Sequence, residues 1–435
     1  MPTSIESLYQ KFRQSTGVCI DTRKLFSSCI FFALKGENFN GNQFALTALQ
    51  QGANLVVIDE PQVIPAEYEG RVFQIPNVLE TLQALAAKHR EVLNLPIIAV
   101  AGSNGKTTTK ELMAAVLGKK YKTFATQGNL NNHIGVPLSL LQIPEGTEIA
   151  VIEMGANHVG ETALLCEIVK PDMGVITNNG LDHLEGFGNL EGVIKANGEL
   201  FEYLAKHNGK AFFNTAELSL APLKNSVREI ITYPQTDDFY QVKPLESQLY
   251  LKLQTESGEV QTQLFGFYNF ANVATALCVG KYLGVSDALA QEAVAHYLPT
   301  NNRSQVIQRG TNTIFLDAYN ANPSSVEAAL LNFKQVKNMH KVVILGDMHE
   351  LGEAEEHEHK RIGAILSEMR LMCKVLYGKA MRHAIKSNQD AYYFTDKFSI
   401  HNWLQDRKFE NTFILIKGSR GVALETLVNF IRDVL

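Results

Sequence analysis

One segment constrains this chain more than any other. From Ile97 to Thr109 it reads IIAVAGSNGKTTT: an apolar run, two glycines three residues apart, then a lysine and three threonines. An apolar strand that passes through glycines into a helix starting near Lys106 builds an anion site, because a helix N-terminus offers unpaired backbone N–H groups and the positive end of its dipole. Gly102 and Gly105 let the backbone wrap close to the anion, with Ser103, Asn104 and Thr108 completing the turn. Lys106 is placed to reach β- and γ-phosphates, and the Thr107 hydroxyl to bind Mg²⁺. The spacing is the short GxxGKT form, since the longer pattern would need a glycine where Val100 stands. A glycine-rich turn with a chance lysine is the bland alternative, and the strand before and helix after argue against it.

The surrounding sequence alternates in the same way. Runs at 97–101, 149–154, 173–178 and 211–214 are apolar nearly throughout, as parallel strands covered on both faces are. Helical patterns separate them, which predicts a central, doubly wound, P-loop ATPase-like sheet. Ahead of it, short strand-like runs at 29–34, 55–59 and 71–75 surround one helical pattern near 42–51, predicting a small N-terminal α/β domain. A helix over 78–92, with Leu79, Leu82, Leu85 and Ala86 at helical spacing, connects the two. Residues 230–264 alternate polar and apolar as a small antiparallel patch would, and an alanine-rich helix starts near Asn269. Strands expected at 313–317, 341–346, 373–378 and 412–417 then predict a C-terminal Rossmann-like α/β domain. The expected class is therefore α/β in three domains, 1–77, 78–298 (with 78–93 as linker helix) and 299–435.

Composition narrows the setting. No apolar run approaches the ~18 residues that span a bilayer, so membrane insertion is not expected. The start, MPTSIESLYQKF, lacks the basic and apolar regions of a secretory signal. Five scattered cysteines without a CxxC pair argue against a disulfide framework or zinc site and for a reducing cytosol. A net charge of −5 without a long basic tract makes nucleic acid an unexpected partner.

Two further strand ends carry candidate ligands. Glu153 closes the run at 149–154, and an acidic residue at the carboxyl end of a parallel strand faces the ligand crevice. It is a candidate Mg²⁺ ligand, with helix capping as the alternative. His183 follows the run at 173–178 in a polar loop; its placement in the same crevice as Lys106 and Glu153 makes it a second candidate ligand for a metal or the phosphate chain, with a structural histidine as the alternative.

In order and spacing, GSNGKTT, Asn129-Leu-Asn-Asn132 with Gly135-Val-Pro137, Glu153-Met-Gly-Ala156 and Ile176-Thr-Asn178 with His183-Leu-Glu185 resemble the Mur ligases. Asp317-Ala-Tyr-Asn-Ala-Asn-Pro323, Leu345-Gly-Asp-Met-His-Glu-Leu-Gly352 and Ile416-Lys-Gly-Ser-Arg-Gly421 narrow the likeness to a member acting on UDP-N-acetylmuramoyl-tripeptide and D-alanyl-D-alanine. Asp21-Thr-Arg23 and Phe31-Phe-Ala-Leu-Lys-Gly-Glu37 resemble its UDP-sugar-binding domain, so the likeness covers nearly the whole chain.

The resemblance implies a monomeric cytoplasmic ligase that uses ATP and Mg²⁺ to form an acyl phosphate on the tripeptide and then an amide bond. It implies Lys106, Glu153 and His183 as the catalytic centre, with Thr107, Glu153 and His183 on metal. Asn269 and Asn272 fall at positions associated with adenine, in a pattern that often opens with histidine where this chain has Tyr268. Arg303 would touch nucleotide phosphate and Asp317 the ribose hydroxyls, since guanidinium binds phosphate and carboxylate accepts from hydroxyls. Thr22, Arg23, Asn131, Asn132, Asn320 and Asn322 fall at substrate positions. Asp347 and Glu350 are expected to face the incoming amine, and Lys417 and Arg420 the dipeptide carboxylate.

One departure stands out. Mur ligases typically carry, two residues before a glutamate, a lysine whose carbamate binds a second Mg²⁺. Glu199 matches the glutamate, and Asn197 stands at the lysine position. Asparagine forms no carbamate, and Lys195 lies about 200° around the helix from it. A carbamate-free site is expected, held by His183 with waters or a neutral oxygen, with takeover by Glu199 as the alternative. The segment from His349 to His359 is read as a solvated acidic helix start, because His357 and His359 would point to nearly opposite sides. The remaining functional alternatives are another Mur-type or folylpolyglutamate-synthase-like ligase, and a non-catalytic nucleotide-binding module.

Overall fold

Three sheets made largely of parallel strands follow one another in the computed structural model, which describes residues 5–247, 249–299, 302–337 and 340–433. The first is small. Helix α1 (Ile5–Arg13) precedes strands β1 (Val18–Cys19) and β2 (Ile30–Phe32), helix α2 (Ala45–Gln50), and strands β3 (Leu55–Ile58) and β4 (Val72–Gln74). The strands lie in the order β1-β2-β3-β4, all parallel. The helix expected near 42–51 opens with a 3-10 turn, Gly41–Phe44, because the Asn40 side chain accepts from Asn42 N and sets the entry.

Helix α3 (Val78–Leu93) joins this domain to the next. Asn77 caps it by accepting from Leu79 N and Glu80 N, and Asn94 ends it at φ 44°. Val78, Leu82, Leu85 and Ala86 are buried in a core shared with both sheets. Near its end, Arg90 Nη2 donates to Asp172 Oδ2 at 2.9 Å, and the same oxygen accepts from Ile97 N at 2.8 Å. On the other side, the buried His89 ring meets the Tyr9 hydroxyl at 3.1 Å. The helix is thus fixed to both domains by polar as well as apolar contacts.

The central sheet holds β5 (Ile97–Ala101), β6 (Thr123–Ala125), β7 (Ile149–Glu153), β8 (Met173–Ile176), β9 (Lys210–Asn214) and β10 (Glu229–Tyr233), ordered β10-β9-β8-β5-β7-β6 and parallel throughout. Its two faces explain the unbroken apolar runs. Ile97, Ala99 and Ala101 enter one buried cluster, Ile98 and Val100 the other. Helices α4 (Lys106–Leu117), α5 (Gly135–Leu141), α6 (Glu161–Val169), α7 (Leu184–Phe187) and α8 (Leu190–Lys206) connect the strands. The stretch at 230–264 divides: β10 extends the parallel sheet, whereas β11 (Val242–Leu245), β12 (Tyr250–Thr255) and β13 (Gly258–Phe265) form the antiparallel patch. An edge strand with one exposed face alternates just as a strand of such a patch does, so periodicity alone does not separate them. Helices α9 (Phe270–Tyr282) and α10 (Asp287–His296) close the domain.

The last sheet contains β14 (Gln305–Arg309), β15 (Asn312–Asp317), β16 (Lys341–Gly346), β17 (Cys373–Tyr377), β18 (Tyr392–Phe394) and β19 (Phe413–Lys417), ordered β14-β15-β19-β16-β17-β18. Only β14 runs antiparallel to its neighbour. Helices α11 (Pro323–Gln335), α12 (Glu355–Ser367) and α13 (Lys397–Gln405) lie among these strands. All five cysteines are buried and unpaired. Among the described residues no helix is long and apolar enough to cross a membrane.

Candidate active site

A cleft of about 930 Å³ lies where the carboxyl end of β5 faces the carboxyl ends of β15 and β19. Gly102, at φ 119°, makes the turn out of β5; a Cβ there would sit 2.2 Å from Thr177 Oγ1. Gly105, at φ 82°, precedes α4, and a Cβ there would sit 2.4 Å from Asn272 Oδ1. Both positions demand glycine. The turn is held by the strand beside it: Ser103 N donates to Asn178 O, Asn104 N to Asn178 Oδ1, and Asn178 Nδ2 to Asn104 O, at 2.9, 3.0 and 3.0 Å. The Ser103 hydroxyl donates to Asp182 Oδ1 at 2.6 Å, so it serves the turn itself. Lys106 Nζ folds back onto Gly102 O and Ser103 O at 2.5 and 3.1 Å, over the loop that a phosphate would enter. Thr107 and Thr108 are buried at the start of α4.

Glu153 ends β7 beside this turn. Its Oε1 accepts from Asn131 Nδ2 at 2.7 Å and from Thr107 Oγ1 at 3.1 Å. Its Oε2 is buried without a hydrogen-bond partner, 3.9 Å from Lys110 Nζ, which itself donates to Thr126 O. A carboxylate that is 1% exposed, with one oxygen accepting no hydrogen bond and met only by an ammonium at 3.9 Å, is incompletely compensated and would gain from a cation in direct contact. Among the described residues no group of three or more His, Cys, Asp or Glu side chains converges as a metal cage. Thr107 and Glu153 therefore fit a cation that takes most of its oxygens from phosphates and water, as Mg²⁺ does.

His183 adopts φ 46° just before α7 and lines the cleft. Its Nδ1 lies 2.6 Å from Glu350 Oε2, although the N–H is not aligned into a linear hydrogen bond. The ring beside it holds the Glu350 carboxyl below the usual range. Asn197 is buried and donates from Nδ2 to Asn179 Oδ1 at 2.8 Å, a neutral pair where a carbamate would carry charge. Glu199 is occupied elsewhere: its two oxygens accept from Gly160 N and Ala163 N at 2.7 and 2.9 Å, capping α6.

On the nucleotide side, Asn269 Oδ1 accepts from Asn272 Nδ2 at 3.0 Å, and Asn272 Oδ1 accepts from Thr109 Oγ1 at 3.1 Å, tying α9 to α4 at the cleft wall. The Tyr268 hydroxyl meets Ser304 Oγ at 3.1 Å, and burial pushes its phenol pKa up, so it stays neutral. From the C-terminal domain, the Arg303 guanidinium stacks 3.7 Å from the Tyr319 ring centre and keeps a buried Nε without a partner. Arg420 approaches the same ring at 5.2 Å and donates to the Tyr319 hydroxyl at 3.3 Å. Neither Tyr319 nor Lys110 was marked by sequence pattern; each is found only through its partner.

The remaining expected substrate residues are placed as follows, with Asn131, Asn132, Asn320 and Lys417 lining the cleft. Lys417 is 2% exposed; it donates to Asp317 Oδ2 at 2.5 Å and to Asn320 O at 3.3 Å, so its charge is directed at the expected ribose acceptor rather than at open cleft. Asn132 Oδ1 accepts from Gly135 N and Ile134 N at the start of α5, and Asn131 serves Glu153. Asn320 Oδ1 accepts from its neighbour Ala321 N. Asn322 caps α11 and donates across the cleft to Asn104 Oδ1 at 2.9 Å. Asp347 is buried under the chain at 378–381, accepting from Met381 N at 2.9 Å, and does not line the cleft. Thr22 and Arg23 lie on the N-terminal domain outside this cleft, with the Arg23 guanidinium paired to Asp21 at 2.8 Å. His359 is buried, not solvated: its Nε2 accepts from Met348 N at 3.2 Å while Nδ1 meets Glu355 O at 2.8 Å, a fold-back that charge patterning does not reveal.

Three family models match in succession: the Mur ligase family catalytic domain over residues 14–90, the Mur ligase middle domain over 100–280, and the Mur ligase glutamate ligase domain over 302–420. A relative from Bacillus subtilis (strain 168), named UDP-N-acetylmuramoyl-tripeptide–D-alanyl-D-alanine ligase, is 34% identical over 427 residues, covering 95% of this chain and 92% of its own. The crystal structure of MurF from Acinetobacter baumannii superposes with a TM-score of 0.86 at 28% identity, covering 97% of each chain. That of MurF ligase from Thermotoga maritima in complex with ADP gives 0.84 at 25% identity, covering 95% of this chain and 96% of the other.

Proposed function

The chain belongs to the Mur ligase family, and from that premise we propose that it joins D-alanyl-D-alanine to UDP-N-acetylmuramoyl-tripeptide at the expense of ATP, through an acyl phosphate, in cytoplasmic peptidoglycan precursor synthesis. One observation carries the reading. The unpaired oxygen of Glu153 stands beside a phosphate-binding turn, and Arg303 and Asp317 of another domain line the same cleft. The enzyme acts as a monomer, with residues 1–77 holding the UDP-sugar, 78–298 the ATP phosphates and adenine, and 299–435 the dipeptide and the rest of ATP.

The residues divide the work as follows. Lys106 leaves Gly102 O and Ser103 O for the β- and γ-phosphates, while the turn's N–H groups cradle them. Thr107 and Glu153, already joined at 3.1 Å, would hold Mg²⁺, and His183, near the neutral Asn197–Asn179 pair, would serve a second ion. Bound Mg²⁺ supplies positive charge that offsets the repulsion between a γ-phosphate and a carboxylate. Arg303 takes phosphate and Asp317 the ribose, so closure of the two domains aligns the reacting groups. Arg420 meets the dipeptide carboxylate. Thr22 and Arg23 bind the UDP-sugar, which brings the tripeptide carboxylate to the cleft.

Phosphate release tests the reading. With UDP-N-acetylmuramoyl-tripeptide and ATP, sustained release is expected only when D-alanyl-D-alanine is added, and Lys106→Ala lowers it by at least about a hundredfold. Release with another amine donor but not with this dipeptide, or full activity in Lys106→Ala, overturns it. A non-catalytic nucleotide-binding module would bind ATP and release no phosphate with any peptide.

A further inference from the structure

Two guanidiniums share one aromatic ring at the cleft. Tyr319 follows β15, and its ring centre lies 3.7 Å from the Arg303 guanidinium carbon and 5.2 Å from that of Arg420. At the shorter distance the cation lies directly on the ring. The longer one goes with a hydrogen bond, in which Arg420 Nη1 donates to the Tyr319 hydroxyl at 3.3 Å. All three residues line the cleft, and among the described residues no carboxylate forms an ion pair with either arginine. Their backbone is held in place. Arg303 stands between Asn302 at φ 56° and Ser304 at φ 48°, and Asn302 O accepts from Ala318 N, beside Tyr319, at 2.9 Å. Ser304 Oγ meets the Tyr268 hydroxyl, and Ser419 Oγ, just before Arg420, donates to Ala321 O at 3.3 Å.

A carboxylate would hold an arginine by its N–H groups and so compete with any anion in the cleft. A ring face holds the same cation through its π-surface and leaves the N–H edge free. Arg303 keeps a buried Nε with no partner, as a donor reserved for an incoming oxygen would. Arg420 gives one donor to a neutral hydroxyl and has others to spare. We propose that Tyr319 is a positioning residue with two separable parts: its ring sets Arg303 for nucleotide phosphate, and its hydroxyl sets Arg420 for the dipeptide carboxylate. The idea rests on the ligase reading above, which assigns those anions to the two arginines, and adds the residue that presents both.

Tyr319→Phe and Tyr319→Leu, made in the full-length enzyme, separate the two parts. Calorimetric affinity for a non-hydrolysable ATP analogue falls about tenfold in Tyr319→Leu and stays within about twofold in Tyr319→Phe, which keeps the ring. The KM for D-alanyl-D-alanine rises about threefold in Tyr319→Phe while the KM for ATP is unchanged, the effect of losing one long hydrogen bond. In that variant kcat stays within about twofold, whereas general damage to the cleft would lower kcat and raise both KM values together. Adding Tyr319→Leu to Arg303→Ala weakens the analogue no further, because the ring acts through the guanidinium. Wild-type analogue affinity in Tyr319→Leu, or an equal loss in Tyr319→Phe, overturns the proposal. So does an unchanged dipeptide KM in Tyr319→Phe, or a further loss in the double variant, which would make the ring itself a nucleotide contact. Phenylalanine keeps the shape of the native side chain, so its arm stands even where leucine disturbs folding. The ligase reading falls instead if wild type releases no phosphate with the dipeptide, and analogue binding then still decides the part played by the ring.

Discussion

Replacing Lys417 by methionine separates two roles for this lysine. Its ammonium is 2.5 Å from Asp317 Oδ2, and the side chains are 2% and 18% exposed. Removing one member of a buried pair leaves the other charge uncompensated, at a cost of about 3–5 kcal/mol. Asp317 borders the cleft and keeps some water, which places the expected loss near the lower end, about 3 kcal/mol. The single tryptophan, Trp403, lies on α13 of the C-terminal domain and reports its unfolding by fluorescence. With a urea slope of about 2–3 kcal/mol/M, the midpoint falls by roughly 1–1.5 M. Asp317 also loses its orienting partner, so the KM for ATP rises about tenfold while that for D-alanyl-D-alanine stays within about twofold. Adding Asp317→Asn to Lys417→Met restores most of the stability but none of the nucleotide affinity, because the stranded charge is gone and so is the acceptor. A large rise in the dipeptide KM with the ATP KM unchanged would refute the argument, since it would make Lys417 a ligand of the dipeptide carboxylate.

Other expectations follow from single contacts. Gly105→Ala forces alanine to φ 82° and pushes Asn272 from its bond with Thr109, together about 2–3 kcal/mol; calorimetric ADP affinity should fall at least about tenfold. Burial, with Arg13 nearby, depresses His89 from 6.5 to about 4, while the unfolded chain protonates at the ordinary value. Its contribution is therefore complete above pH 6.5 and is lost as pH falls toward 4, and His89→Gln should flatten the acid limb of urea midpoint against pH. Added bicarbonate should leave turnover unchanged, because Asn197 cannot form a carbamate; a clear rise would contradict the site described.

The parts legible in the sequence were those whose determinants are local. The strand, two glycines and a lysine at 97–106 identify a phosphate turn because each requirement falls within ten residues. Glu153 was legible because a strand end predicts where its side chain faces. What stayed hidden depends on distant partners. Asn131 and Asn132 read as substrate amides and line the cleft, but that one also holds Glu153 and the other caps α5 shows only in the fold. Glu199 reads as a metal candidate until the N-terminus of α6 is seen to occupy both its oxygens. Lys417 and Asp317 are a hundred residues apart and meet only because β15 and β19 are parallel neighbours with Asp317 opposite Lys417.

Arg90 and His89, neighbours near the C-terminal end of the linker helix, tie it to the central domain and to α1, and this has a bearing on selectivity. On the proposed reading, a sugar nucleotide on the first domain would hang its peptide from an anchor tied through this helix to the domain that carries the phosphate turn. Such an arrangement would measure length: a stem one residue too short would leave its carboxylate outside the cleft, and one too long would have to buckle. Discrimination among stem peptides would then come from reach as much as from recognition of the last side chain.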